Sequence, residues 1–219
     1  YRGAPGAYVR YPWEILLAIT KVEATHAGCL VIGEDLGVLP EGLRDRLSEA
    51  RLYGCSVAQF ERDHEGQLRH PKDFRSATMA SFGTHDTATL RGFWQGWEIN
   101  RQQEFGQFDE DSKNRSHSDR YRDRWRLSHM LAGGDSHEEP PGDLDDGLIN
   151  GLHEMLGEAG SELIAVQLDD ACGRVEQANF PGTVLQYPNW RLKSPIPVVE
   201  LQDLKALDGL NRIVRGRHR

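Results

Sequence analysis

A short apolar run near the start of the chain ends on two carboxylates. Residues 29–32 are all apolar, and Gly33 then leads into Glu34 and Asp35. An uninterrupted apolar run of this kind is typical of a strand that is covered on both faces, as the strands of parallel sheets are. In barrels of parallel strands and helices, the active site lies at the C-terminal ends of the strands. Glu34 is therefore a candidate catalytic residue, and we expect it to be buried.

The rest of the chain alternates between helical and strand-like patterns. Apolar residues at helical spacing predict helices at 12–25, 40–51, 148–156 and 198–214, and one that begins near Thr87 or Thr89. Short apolar runs predict strands at 30–32, 56–60, 77–82 and 163–168. This alternation favours an α/β fold in which helices connect the strands of a parallel sheet.

The pattern weakens between residues 97 and 147. Residues 115–126 are densely charged, and the stretch closes in loops that are rich in glycine, proline and acidic residues. The acidic cluster at 138–146 lacks the alternating ligands and fixed glycine of a calcium loop. We therefore expect a helical and loop insertion at about 97–147, within one domain that covers residues 1–219.

Composition excludes several classes of function. The chain has 26 basic and 34 acidic residues, a net charge of −8, which does not suit a nucleic-acid or anionic-membrane partner. Its three cysteines lie far apart, so neither a disulfide framework nor a zinc site is expected. The longest apolar run, residues 15–19, is too short to span a bilayer. We expect a cytoplasmic protein that needs no cofactor and no metal.

Asp86 follows the predicted strand at 77–82 in much the same way as Glu34 follows the first strand. A pair of carboxylates at strand ends suits glycoside chemistry, in which one group moves a proton and another attacks the anomeric carbon or stabilises positive charge. Either residue could instead be a helix cap or an ion-pair partner. The pair His85 and Asp86 also leaves a metal-dependent phosphohydrolase open, although such a site would need further ligands.

Several motifs, in order, resemble the amylomaltases, which are 4-α-glucanotransferases or disproportionating enzymes. They are Val31-Ile32-Gly33-Glu34-Asp35-Leu36-Gly37, Val57-Ala58-Gln59-Phe60-Glu61-Arg62-Asp63 and Thr84-His85-Asp86-Thr87-Ala88-Thr89-Leu90-Arg91-Gly92-Phe93-Trp94. The flanking segments Gly6-Ala7-Tyr8-Val9-Arg10-Tyr11-Pro12 and Asn179-Phe180-Pro181-Gly182-Thr183 to Tyr187-Pro188-Asn189-Trp190-Arg191 also resemble that family. The resemblance covers nearly the whole chain and is loose only between about residues 97 and 163. It implies a TIM (β/α)8 barrel and a retaining double displacement on maltodextrins, which are α-1,4-glucans.

The resemblance also assigns roles to residues. Glu34 matches the general acid/base of the family, and Asp86 matches its transition-state-stabilising aspartate. His85 and Asn179 match residues that contact the sugar. Gln59 and Asp63 are expected to border the substrate groove. From the residues alone, Asn179 could equally be a turn residue before Phe-Pro-Gly, and Gln59 a polar residue at a strand end.

One family motif is missing. The nucleophilic aspartate of the amylomaltases lies in an Arg-x-Asp-His motif on an earlier strand, and no such motif occurs in this sequence. We therefore expect the chain to be the C-terminal half of the barrel, and to be inactive alone. An amylase-like α-glucan hydrolase and an inactive glucan-binding fragment are the alternatives.

Overall fold

The computed structural model describes residues 7, 9–134, 139–203 and 213. The chain divides into two compact units, Tyr1–Gly54 and Cys55–Arg219, and each is described by itself.

The first unit contains two helices, α1 (Trp13–Ala27) and α2 (Leu43–Glu49). Both lie where the sequence predicts helices. Gly28 ends α1 in the left-handed conformation with a φ of 61°, and its N–H is bonded to the carbonyl oxygens of the last turn. Local end signals such as this glycine explain why α1 is predicted well.

The strand predicted at 30–32 is much reduced. Within the described part of this unit, it consists of one parallel bridge between Ile32 and Tyr53, next to a 2.8 Å bond from Gly33 N to Tyr53 O. Leu30 is 67% exposed, so the expected two-sided burial is wrong. A strand is buried on both faces only where other elements cover it, and a single bridge cannot supply that cover.

One face of α1 is apolar and exposed. Ile15, Leu16, Ile19 and Val22 lie at helical spacing on this face, and about half or more of each side chain is exposed. No residue of the helix is buried. The spacing therefore predicted the helix correctly, but not a core contact for its apolar face.

The second unit holds a three-stranded sheet with the order β1-β2-β3. The strands are β1 (Gly54–Val57), which begins at the unit boundary, β2 (Thr78–Ser81) and β3 (Leu163–Ile164). β2 and β3 are parallel, with Met79 opposite Leu163 and Ala80 opposite Ile164. The connection between these parallel neighbours contains helices, as the α/β prediction required.

Within the described ranges, five helices accompany this sheet. They are α3 (Leu90–Gln95), α4 (Trp97–Glu104), α5 (Glu110–Leu131), α6 (Asp146–Gly157) and α7 (Leu168–Ala171), and two short 3₁₀ helices cover Pro71–Asp73 and Val198–Asp203. The predicted helix at 198–214 is thus a 3₁₀ helix at its start, and the rest of it, apart from residue 213, lies outside the described residues. In the described part of the chain, no helix is long and apolar enough to cross a membrane.

The core of this unit lies between the sheet and its helices. Trp94 and Ala80 are fully buried in it, and Phe82 and Phe93 meet edge to face with ring centroids 5.4 Å apart. Side chains of α5 and α6, such as Leu127 and Leu152, complete the same cluster. The core therefore holds the C-terminal end of β2 and the start of α3 in place, and the loop between them carries Asp86.

The strands are shorter than predicted, because the backbone turns soon after each one. The carbonyl of Val57 accepts bonds from Phe60 N at 2.8 Å and Glu61 N at 3.0 Å, which ends β1 before residue 58. β3 has only two residues, and the apolar run that predicted it reaches into α7.

Candidate active site

The loop that follows β2 is tightly folded around Asp86. Thr87 Oγ1 accepts a bond from Thr84 N at 2.8 Å and donates one to Thr84 O at 3.1 Å. Asp86 N donates to Thr84 Oγ1 at 3.2 Å. A Cβ on Gly83 would lie only 2.6 Å from Thr87 Oγ1, so glycine permits this close turn. The loop therefore presents Asp86 in a defined orientation.

Asp86, Asn179 and His85 lie together. Asn179 Nδ2 donates to Asp86 Oδ1 at 2.6 Å, while His85 Nε2 lies 3.4 Å from Asp86 Oδ2. The backbone joins the same segments, because Asn179 N donates to His85 O at 3.1 Å. The carboxylate of Asp86 is still 42% exposed, so it remains open to a ligand. The structure thus brings together three of the residues that the sequence predicts for the site.

Two residues to which the sequence analysis gave no role support this group. The buried Gln177 donates to Asn179 O at 2.7 Å, and Tyr187 Oη donates to Gln177 O at 2.6 Å. Burial raises the pKa of Tyr187 to about 12, so the phenol keeps the proton that it donates. The proximity of Gln177 to Asn179 in the sequence is the one signal that could have found it.

Trp190 is a third residue to which the sequence analysis gave no role. Its ring lies 5.1 Å from that of His85, and its backbone N–H donates to Ala178 O at 3.0 Å. Its φ of 60° is uncommon for a residue other than glycine, and the indole is 65% exposed. A strained, exposed aromatic beside a candidate site is a feature to expect where a ligand binds.

Asp86 opens onto a cleft of about 590 Å³, a volume within the usual range for ligand sites. The loops after β1 and β2 line part of it, and helices α3, α4 and α5 and the segment 177–181 contribute the other walls. Its lining includes Gln59, Phe60, Arg62, Asp86, Gln102 and Gln177. Carboxylates, carboxamides and the exposed ring of Phe60 can together bind a polyhydroxyl ligand. The polar groups can form hydrogen bonds with hydroxyls, and the ring can pack against the apolar face of a sugar.

Gln59 is a buried residue of the cleft lining. It is 9% exposed, and its Nε2 donates to Ala88 O at 2.8 Å. This bond ties the end of β1 to the loop that carries Asp86. The side chain therefore has a structural bond in addition to its place in the cleft.

Asp63 lies elsewhere. It lines a different cleft, of about 780 Å³, together with His70 and Arg126. Its carboxylate accepts bonds from Glu65 N and Gln67 N, both at 2.9 Å, and the bond from Gln67 N does most to lower the pKa of Asp63. The structure therefore does not bring Asp63 into the cleft that Asp86 lines.

Glu34 belongs to the first unit, where it is exposed, so the burial expected of it is not found. Its neighbour Asp35 is only 2% exposed and pairs with Arg44 of α2, whose Nε lies 3.1 Å from Asp35 Oδ2. Arg44 also donates to Asp35 O at 3.2 Å. Asp35 thus anchors the segment that carries Glu34 to α2.

The start of α3, four residues after Asp86, is hydrogen-bonded to a carboxylate 80 positions later in the sequence. Asp170 Oδ1 accepts a bond from Leu90 N at 2.6 Å, and Thr89 Oγ1 donates to Arg174 O at 2.7 Å. Asp170 is 3% exposed, and burial raises its pKa to about 7. Residues 168–175 therefore brace the helix that follows the candidate site.

Across the ranges that the structure describes, no group of three or more His, Cys, Asp or Glu side chains is arranged to hold a metal ion. The His85–Asp86 pair has no further acidic, histidine or cysteine side chain beside it there that would complete such a group.

The fold matches part of the structures of two amylomaltases, which have a TIM-barrel architecture. Against amylomaltase from Corynebacterium glutamicum, the TM-score is 0.81 with 24% identity, over 94% of this chain and 31% of that one. Against amylomaltase from Streptococcus agalactiae in complex with acarbose, it is 0.63 with 18% identity, over 98% and 36%. The fold is therefore the α/β fold of part of such a protein.

The sequence comparisons identify the family. The profile of the 4-α-glucanotransferases, glycoside hydrolase family 77, matches residues 2–198. The 4-α-glucanotransferase of Haemophilus influenzae is 31% identical over 93% of this chain and 30% of its own length. That of Mycobacterium tuberculosis is 34% identical over 87% and 27%. The chain belongs to the 4-α-glucanotransferase family and spans about 30% of the length of these relatives.

Proposed function

We propose that the protein to which this chain belongs transfers α-1,4-glucan segments between maltodextrins by a retaining double displacement. The observation that carries the proposal is the hydrogen-bonded group of Asp86, Asn179 and His85 at the edge of an open cleft. Membership of the 4-α-glucanotransferase family supports the choice of reaction.

In this proposal, Asp86 stabilises positive charge. The transition state of glycosyl transfer resembles an oxocarbenium ion, and a carboxylate held in a fixed position beside it lowers its energy without reorganising. The bond from Asn179 fixes that position. His85 and Asn179 also offer polar atoms to the sugar hydroxyls, while Gln59 borders the groove and Asp63 lines a separate cleft.

Glu34 acts as the general acid/base. It protonates the leaving glycosidic oxygen in the first displacement and takes a proton from the acceptor hydroxyl in the second. An exposed carboxyl on a segment anchored by Asp35 can reach a substrate, and the family resemblance supplies its role.

The nucleophile of the first displacement comes from outside residues 1–219. We propose that these residues form the C-terminal half of the barrel, with a helical insertion at about 97–147, and that they do not catalyse transfer alone. The absence of Arg-x-Asp-His from the sequence and the share of the relatives that the chain covers support this arrangement.

The test replaces Glu34 with Gln in the whole protein, including any sequence encoded on either side of residues 1–219. The variant keeps the size and hydrogen-bonding capacity of the side chain but cannot exchange a proton. We expect disproportionation of maltotriose to fall by at least about 100-fold, because proton transfer contributes a factor of this order. Products are separated by chromatography, so that longer glucans report transfer and net glucose release reports hydrolysis.

Glu49→Gln on α2 is the matched control, because Glu49 is also an exposed glutamate of the first unit and should leave the rate unchanged. Near-normal activity of Glu34→Gln would overturn its assignment. Glucose and shortened chains without longer products would show an α-glucan hydrolase instead. The 219-residue chain is assayed in parallel, and transfer by that chain alone would contradict the half-barrel proposal.

A further inference from the structure

We propose that α4 and the loop after β1 form a second sugar subsite in the Asp86 cleft, where Gln102, Arg62 and Phe60 contact a glucose unit next to the one at Asp86. The inference rests on the proposed glucan substrate. It goes beyond that proposal because it gives α4 a role in substrate binding.

Gln102 is the first element of this subsite. It lies on α4, is half-buried and lines the cleft. Its side chain makes no hydrogen bond within the part of the chain that the structure describes, whereas the next residue, Gln103, accepts a bond from Lys113 Nζ at 2.7 Å and also donates to Glu110. A half-buried carboxamide without a partner gains free energy when a ligand hydroxyl bonds to it.

Arg62 is the second element. Its guanidinium makes two parallel bonds to Asp123 of α5, at 2.9 and 2.8 Å, and a third to Gly66 O at 3.0 Å. The bonds to Asp123 raise the pKa of Arg62, outweighing burial, which lowers it. These bonds hold the planar group still, and its remaining N–H groups are available to hydroxyls because the side chain is 38% exposed.

Phe60 is the third element, and it suits the apolar face of a sugar ring. It is 54% exposed and lines the cleft beside Gln59, in the turn that ends β1. An exposed ring next to hydrogen-bonding groups gives the two kinds of contact that a glucose unit needs.

The charges of the cleft favour a neutral ligand over an anion. Arg62 is neutralised by Asp123, and Arg120 is paired with Glu98. Asp119 is paired with Arg122, so Asp86 is the further carboxylate of the lining. An excess of negative charge disfavours a phosphate or a carboxylate ligand but has little effect on a neutral glucan.

The experiment measures binding of acarbose, an oligosaccharide that a relative is described as binding, to the whole protein by titration calorimetry. Gln102→Ala is compared with Gln103→Ala, the neighbouring glutamine of the same helix, whose side chain bonds to α5 instead. We expect Gln102→Ala to weaken acarbose binding about threefold to tenfold, the value of one neutral hydrogen bond. Arg62→Lys keeps the positive charge but loses the planar guanidinium, and it should weaken acarbose binding by a similar factor. Melting curves are recorded for each variant.

Weaker acarbose binding by Gln102→Ala and Arg62→Lys, with normal binding by Gln103→Ala and unchanged melting, supports the subsite. The same pattern in a protein that forms no longer glucans from maltotriose supports the subsite while overturning the proposed transfer reaction. Wild-type affinity in both variants overturns the subsite, and so does a whole protein that does not bind acarbose at all.

Discussion

The side-chain amide of Asn179 donates a 2.6 Å hydrogen bond to Asp86, a residue 93 positions earlier in the chain. The bond fixes one carboxylate oxygen and leaves the other facing His85. It therefore determines how the carboxylate is presented to a ligand, and it links the loop after β2 to the segment that precedes Trp190.

Removing this bond should impair transfer by the whole protein. A bond from a neutral donor to an ionised carboxylate contributes about 1.5–3 kcal/mol, so Asn179→Ala should lower kcat/KM for maltotriose disproportionation by about 10- to 100-fold. Asn100→Ala is the control, because Asn100 is an exposed amide of α4 outside the cleft, and its side chain bonds to Gly96 O at 3.3 Å and to His117 Nε2 at 3.1 Å. Equal rates for the two variants would show that the Asn179 bond is unimportant for the reaction.

Asp170 should make stability depend on pH. Burial raises its pKa to about 7 from an unfolded value of 3.8, a neighbouring Asp169 adds to the effect, and the bond from Leu90 N opposes it. Between these values the folded state binds more protons than the unfolded state, so this group stabilises the fold fully below pH 4 and loses that contribution as the pH rises to about 7. A tenfold change in proton affinity corresponds to about 1.4 kcal/mol, so the loss is a few kcal/mol at most.

The measurement is urea unfolding at pH 5 and pH 8 for the wild type and for Asp170→Asn. Asparagine can still accept the bond from Leu90 N but carries no charge. The wild type should lose more stability than the variant between the two pH values. If the two proteins lose the same amount, then Asp170 is not the group that titrates.

Local signals predicted much of the fold, and long-range contacts account for most of what was missed. The helix α1 follows from apolar spacing and from Gly28, which needs no knowledge of the rest of the chain. The strand at 30–32 depends on which other elements pack against it, and its local sequence does not specify those elements. Asp86 and Asn179 were found because each lies in a recognisable motif, whereas their mutual bond was not predicted.

The bond between Arg62 and Asp123 shows the same limit. The two residues are 61 positions apart, and Asp123 lies in a highly charged stretch where nothing distinguishes it from its neighbours. It is buried because α5 packs against the core through Leu127, one turn away. A helical insertion can be expected in such a stretch, but which of its charged residues is buried depends on the tertiary packing.

Gly92 should not tolerate a side chain. A Cβ at this position would lie 2.4 Å from Val175 O, a backbone atom that cannot move aside cheaply. Replacing glycine with alanine within a helix normally raises the free energy of unfolding by about 0.5–1 kcal/mol. Here the clash should instead lower the free energy of unfolding by about 1–3 kcal/mol. The control is Gly142→Ala, where a Cβ meets nothing within 4 Å in the described structure. Thermal unfolding of both variants decides the matter, and a Gly92→Ala protein as stable as the wild type would show that residues 174–175 do not pack on α3 this closely.

The exposed apolar face of α1 should make the 219-residue chain associate with itself. Ile15, Ile19 and Val22 are each more than half exposed, and burying one such side chain stabilises a contact by about 1.5–3 kcal/mol. We expect the chain to sediment as a species heavier than its 24.7 kDa monomer at micromolar concentration. Replacing these three residues with Gln should remove that association, because the face then prefers water.

The matched control changes three polar residues of the same helix, Glu14, Lys21 and Glu23, to Gln. It leaves the apolar face intact, so it should associate as the wild type does. Sedimentation velocity across a concentration series separates the cases, and circular dichroism shows whether each variant keeps its helices. A wild-type chain that stays monomeric throughout would mean that the face needs no cover, whereas association that survives the triple apolar substitution would place the contact on another surface.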